Sequence, residues 1–252
     1  MPNAVNEIRV MSYNICKYNN DKGGTGFPKS IFAEKVSNLK QMFMEYAPDI
    51  IGLQEDRQYL DAEKTIPASA GLFDPVWNHR SGMDRETARS KFAAFESSFV
   101  QFTDKVGKAN WRSYRRLIYS FYGKRLMFIS CHPMPGKEYV QARIEEFEQI
   151  FKDINNTKYD YCIVTGDFNT VTDEDKVNLK NICDQNKFKM AIGSYLPWIV
   201  TCPGSVGGAY HPYSLDNILV SKNMNIIQTK IVSEWHSRLY SDHIPVVSTI
   251  RF

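Results

Sequence analysis

Four short acidic motifs stand at the ends of apolar runs: Leu53-Gln54-Glu55, Gly166-Asp167-Phe168-Asn169, Leu215-Asp216-Asn217 and Ser241-Asp242-His243-Ile244-Pro245. Asn14 closes another apolar run, Arg9 to Ile15, and His132 follows Ile129-Ser130-Cys131. Hard oxygen donors delivered by several strand ends to one rim are what a Mg²⁺ site for phosphoryl chemistry requires. Taken singly, each motif is more often a turn or a capped helix start, and Asn14 an Asx turn. Taken together along one chain, they read as a site. Within it His243 is the natural general base, because a neutral imidazole with an ordinary pKa of about 6.5 accepts a proton near neutral pH. Asp216 would fix its tautomer and stabilise the imidazolium that forms. His132 would donate to a phosphate oxygen or a leaving group.

The elements that must position these groups follow from periodicity. Phe32, Val36, Leu39, Phe43 and Tyr46 recur at 4-3-4-3 spacing, an amphipathic helix with Ser30 as its N-cap and Pro48 beyond its end. Asp49–Leu53 is then a buried strand that releases Glu55 as it leaves the core. Val140, Ile144, Phe147, Phe151 and Ile154 repeat the helical spacing after Pro135-Gly136, as a cover for a sheet. Tyr161–Val164 is a strand running into Gly166-Asp167, and Asp173–Asp184 a third helix. Strands at 91–103, 112–121, 126–130, 217–220, 226–232 and 246–250 supply the rest. Helices and strands mix without strict alternation, which argues for two facing mixed sheets with helices outside. Glycine-bearing loops at 17–28 and 201–213 lack a Walker or GxGxxG pattern and read as substrate-facing loops.

Composition sets the outer limits. A chain of 252 residues with no repeat, compositional shift or linker reads as one domain, residues 1–252. Its net charge of +3 announces no polyanion by itself. Nine basic residues crowd the 105–143 stretch against Glu138 alone, interleaved with Trp111, Tyr114, Tyr119 and Tyr122. That stretch is either a nucleic-acid track or a solvated basic face. Five scattered cysteines show neither CxxC spacing nor a disulfide framework, and no His or Cys pair has zinc-ligand spacing, which speaks against zinc. Neither a signal-peptide pattern nor a membrane-length apolar run is present, so the expectation is a cytoplasmic monomer without an integral membrane segment, unless a leader has been removed.

The order of motifs resembles the endonuclease/exonuclease/phosphatase superfamily: Asn14, Gln54-Glu55, His132-Pro133, Gly166-Asp167-Phe168-Asn169, Asp216, then Ser241-Asp242-His243. The resemblance covers nearly the whole chain. It implies a four-layer α/β sandwich of two facing mixed β-sheets flanked by helices, with strand ends of both sheets meeting at one cleft. His132 is similar to the deoxyribonuclease I, sphingomyelinase and deadenylase branches rather than to the abasic-site endonucleases. The Trp-bearing elements of inositol polyphosphate phosphatases are absent.

What the resemblance implies is a Mg²⁺-dependent phosphodiesterase on nucleic acid, most similar to a deoxyribonuclease I-type endonuclease. Mn²⁺ would substitute, and Ca²⁺ is an alternative. Glu55 would be the main metal ligand, with Asn14 and Asp242 completing the shell, while Asp167 and Asn169 orient the attacking water. In deoxyribonuclease-like relatives the counterpart of His132 is held by a glutamate, for which Glu86 and Glu96 are both candidates here. Glu55-Asp56-Arg57 resembles that enzyme's Glu-x-Arg, so Arg57 would reach the substrate, as would Arg115 and Arg116 of the basic stretch. A phospholipid head group or small phosphate ester is the alternative substrate. A non-catalytic binding module is the reading from a different class, disfavoured because all eight site residues are present.

Overall fold

The computed structural model describes residues 6–15, 32–55, 87–92, 94–103, 112–193, 200–203, 205–206, 209–210, 213–235, 238 and 241–252. Strand β1 (Glu7–Asn14) alternates exposed and buried residues at its start and is buried from Val10 onward, the mark of a strand entering a covered sheet. It pairs antiparallel with β13 (Val246–Arg251) and parallel with β2 (Ile50–Gln54). With β12 (Asn225–Ile231) and β3 (Thr87–Ser90) these form a five-stranded sheet ordered β12-β13-β1-β2-β3. A six-stranded sheet is ordered β4 (Ala94–Gln101), β5 (Ser113–Phe121), β6 (Lys124–Cys131), β7 (Tyr161–Asp167), β11 (Asp216–Ser221), β8 (Phe188–Met190). A separate two-residue pairing joins β9 (Ser205–Val206) to β10 (Ala209–Tyr210).

Each parallel pair needs a crossover, and helices supply both. Helix α1 (Phe32–Tyr46) links β1 to β2, and α2 (Val140–Asn156) links β6 to β7. A third helix, α3 (Asp173–Gln185), starts at a capping box in which Thr172 and Asp175 satisfy each other's backbone N–H, with acidic residues through its first turn. Four layers result. Leu39, Met42 and Phe43 of α1 pack on Met11, Tyr13, Ile51 and Leu53. Phe147, Ile150 and Ile154 of α2 and Leu179 and Ile182 of α3 cover Ile129, Cys162, Val164 and Leu219. Between the sheets lie Ile8, Val10, Ile50, Leu117, Phe128, Ile163, Ile218 and Val220. The sheets approach closely at Gly52, where an added Cβ would stand 1.9 Å from Thr165 Oγ1.

The expected strand at 91–103 is present as residues 94–101, and a further strand that was not expected precedes it at 87–90. Residues 87–90 close the edge of one sheet and residues 94–101 open the edge of the other, so the chain changes sheets at Lys91 and Phe92. At four residues, Thr-Ala-Arg-Ser, the 87–90 strand is too short and too polar to carry a hydrophobic pattern of its own. The Ser30 cap lies outside the described residues. No described helix is long and apolar enough to cross a membrane.

Candidate active site

Strand parity decides which side chains reach the cleft. Alternate residues face opposite sides of a sheet. Asn14 shares parity with Ile8 and Val10, His132 with Phe128, Asp167 with Ile163, and Asp216 with Ile218 and Val220, all of them inter-sheet residues. These polar groups therefore continue the inner ladders just past the apolar core. Glu55 is different: by parity with Ile51 and Leu53 it would face α1. Its backbone adopts φ 56°, the left-handed region that a side chain disfavours, and this breaks the alternation. Asn169, two residues beyond the end of β7, also adopts the left-handed region with φ 50°.

The result is a cluster drawn from both sheets. Asn14 Nδ2 donates to Asp167 Oδ2 at 3.0 Å and to Glu55 Oε1 at 3.4 Å. The ring nitrogens His132 Nε2 and His243 Nε2 each lie 3.4 Å from Asp167 Oδ2. Behind His243, its Nδ1 lies 2.8 Å from Asp216 Oδ2. The backbone N–H of Asn169 donates to Asp167 Oδ1 at 3.0 Å, while its side-chain amide donates to Pro133 O at 2.9 Å, tying the Asp167 turn to the His132 arm. Asp242 is half exposed, with Oδ1 4.0 Å from His243 Nε2. Thus seven of the expected residues share one site with Asn14: Glu55, His132, Asp167, Asn169, Asp216, Asp242 and His243.

Electrostatics assigns the protons. Burial pushes the Asp167 carboxyl up, but His243, His132, the Asn14 amide and the Asn169 N–H outweigh it and hold it below the usual carboxylate range. Burial raises Asp216 to about 6 against the pull of His243. Burial alone would lower His243, yet Asp216 and Asp167 raise it well above its ordinary 6.5. These shifts favour a charged His243 ring beside an ionised Asp167. Both carboxylates favour the protonated ring, whereas the general-base role expected of His243 needs the neutral one.

Several expectations fall elsewhere. Arg115 and Arg116 are adjacent on β5 and point to opposite faces. Arg115 is buried at 4% exposure with its guanidinium 4.3 Å over the Phe99 ring, and Arg116 ion-pairs with Asp153 of α2. Arg112 is buried against Glu146, Arg143 against Asp175, and Arg125 pairs with Glu96. The described part of the basic stretch is thus largely internal wiring, and Glu96 is engaged away from His132. Arg57 and Glu86 lie outside the described residues. Sequence reasoning also missed two anchors. Ser241 Oγ donates to Asn14 O at 2.8 Å and accepts from His243 N at 3.1 Å. Thr201 Oγ1 accepts from the backbone of Leu215 and Asp216, both at 2.9 Å. Ser241 was visible in its motif; Thr201, far away in sequence, gave no signal.

The carboxylates of Glu55 and Asp167 are hard oxygen donors of the kind a divalent cation takes, and the Asn14 Nδ2 that donates to both holds them beside each other. Among the described residues the ligand atoms of Asp167, Asp216 and His243 lie within 4.8 Å of one another.

The Endonuclease/Exonuclease/phosphatase family profile matches residues 11–243, and the chain belongs to that family. Solved structures share the fold at low identity. The human Nocturnin catalytic domain with bound sulfate aligns at TM-score 0.74 and 20% identity over 98% of this chain and 94% of its own. Humanized D. rerio TDP2 aligns at TM-score 0.74 and 17% identity over 98% and 100%. ANGEL2, a 2',3'-cyclic phosphatase, aligns at TM-score 0.71 and 13% identity over 98% and 96%. No curated protein matches the chain by sequence.

Proposed function

We propose that the protein is a divalent-metal-dependent phosphodiesterase acting on nucleic acid, in its sharper form a deoxyribonuclease I-like endonuclease. One observation carries the reading: Glu55, Asn14, Asp167, His132 and His243 converge from both sheets on a single point, with Asp216 directly behind His243. The substrate class draws support from the similar D. rerio TDP2, solved with a single-strand DNA product, and from ANGEL2, solved with adenosine-2',3'-vanadate.

Glu55, Asn14 and Asp242 would hold Mg²⁺, which supplies neutralisation of charge on the phosphoryl oxygens when bound. The chain's own groups do the rest. Asp167, ionised and fixed by the Asn169 N–H, accepts a proton from the attacking water and orients it. His243, protonated between Asp216 and Asp167, donates a hydrogen bond to a non-bridging phosphate oxygen, where negative charge grows in the transition state. His132 donates to a second oxygen or to the leaving group. Asp216 keeps the His243 ring oriented and charged.

The internal pairing of the arginines at 112–143 favours a second reading, a nucleotide or other small phosphate ester, because an extended cationic track is missing among the described residues of that stretch. Purified protein with Mg²⁺ is to be assayed against supercoiled plasmid, single-stranded DNA, RNA and small phosphodiesters. Cleavage of polynucleotide supports the first reading, turnover of small esters alone supports the second, and no turnover of any phosphodiester overturns both.

A further inference from the structure

Cys202 and His243 are 41 positions apart, so no spacing rule pairs them. The fold does. Cys202 bridges to Tyr213 at the base of the 201–213 excursion, and the neighbouring Thr201 O accepts the backbone N–H of Ile244 at 2.6 Å, which lays the two segments side by side. The ligand atoms of Cys202, Asp242 and His243 all lie within 4.8 Å of one another, and the Cys202 side chain hydrogen-bonds the His243 ring.

We propose that Cys202, His243 and Asp242 form an inhibitory site for a borderline-soft divalent ion, Zn²⁺ above all, distinct in chemistry from the oxygen-donor set at Glu55 and Asn14, with which it shares Asp242. Sulfur, imidazole and carboxylate are all zinc donors, and a thiolate discriminates against Mg²⁺. The ring is also prepared for it. Asp216 holds Nδ1 at 2.8 Å, the arrangement that orients a metal-binding histidine and makes its other nitrogen the donor. Donor atoms around a tetrahedral zinc stand roughly 3.5 Å apart, so closure needs side-chain movement on the order of 1 Å. Asp242, 52% exposed, has the freedom to supply it. On binding, the Cys202 thiol and the His243 ring release their protons to solvent. The ion takes His243 Nε2 out of reach of the phosphate and draws Asp242 away from the hard-cation set, so phosphodiester cleavage stops. The inhibitory consequence rests on the hydrolase reading; the site itself does not.

Cd²⁺, a thiolate-seeking stand-in with an ultraviolet charge-transfer band, and Zn²⁺ test the two parts separately, each added to the protein in excess Mg²⁺. Titration with Cd²⁺ should raise the thiolate band to saturation at one equivalent, and Cys202→Ser should abolish it while Cys183→Ser leaves it intact. Zn²⁺ should inhibit cleavage, and Cys202→Ser should raise the half-inhibitory concentration, normalised to its own activity, at least about tenfold. Cys202→Ala replaces the serine variant if circular dichroism shows the latter unfolded. A band that survives loss of Cys202 overturns the site. Unchanged Zn²⁺ sensitivity overturns the inhibition. A Cys202-dependent band in a protein that cleaves no phosphodiester supports the site and removes the hydrolase reading instead.

Discussion

Asp216 and His243 work as one group, and their contributions should not multiply. Each carries part of the same imidazolium, 2.8 Å from carboxylate to ring. His243→Ala should lower kcat at least about 10²-fold, the lower range for a positioned proton-carrying group. Asp216→Asn should also lower it, and the double variant should be little worse than His243→Ala. Losses that simply multiply would separate the pair. The protonation itself can be read by NMR titration of the ring: His243 should titrate well above 6.5, and lower in Asp216→Asn, because the carboxylate that raises it is gone. The sign for stability follows. What the charged ring adds to folding is full below about 6.5, its value in the unfolded chain, and is lost as pH rises through the folded value. Asp167 has the opposite sense, adding stability above about 3.9 that disappears as pH falls through its lowered value.

Helix α2 does more than cover a sheet. Its Glu146 accepts from Met134 N at 2.7 Å, and its fully buried Arg143 donates to Met134 O at 2.8 Å and Gly136 O at 2.6 Å while forking onto Asp175 of α3. With Asn169 on Pro133 O, these bonds fix the segment directly after His132. Glu146→Gln removes a buried charge from its Arg112 partner, a change that costs about 3–5 kcal/mol when one member of a buried pair is lost. It should therefore lower the denaturant midpoint and also kcat, through a displaced His132. In a His132→Ala background the kcat effect should vanish and the stability loss remain; a kcat loss of equal size in both backgrounds would detach α2 from His132. Periodicity revealed α2 as a helix, but nothing local in sequence marks Arg143 and Glu146, at polar positions among its apolar residues, as buried clamps.

At the scale of the molecule, two sheets must close to a fixed distance for residues of one to meet residues of the other. Gly52 leaves space for a close approach, with Ser130 Oγ donating to Leu53 O at 3.2 Å and accepting from Gln54 Nε2 at 3.1 Å beside it. Gly52→Ala should cost about 1–3 kcal/mol by overpacking, and Thr165→Ala, which removes the opposing hydroxyl, should recover part of it in chemical denaturation. No recovery would place the strain elsewhere. Most of the architecture was legible in sequence because strands with covered faces and helices of regular spacing carry their own periodicity. The site was legible because Asn14, Glu55, Asp167, Asp216 and His243 each end an apolar run or sit in a compact motif. The direction of the basic side chains was not, since adjacent strand residues such as Arg115 and Arg116 look alike until the partners on each face are known. Nor was the upward shift of His243, which comes from two carboxylates brought from 27 and 76 positions away. The central claim is that the oxygen donors around Asn14 hold a divalent cation for phosphodiester cleavage. Its most direct test is the rate of cleavage of a phosphodiester substrate across a Mg²⁺ titration, in wild type and in Glu55→Gln, which keeps volume and removes a charged ligand. The account predicts saturable Mg²⁺ dependence in the wild type and near-complete loss of turnover in the variant with an unchanged circular dichroism spectrum; Mg²⁺-independent cleavage, or wild-type rates in Glu55→Gln, would contradict it.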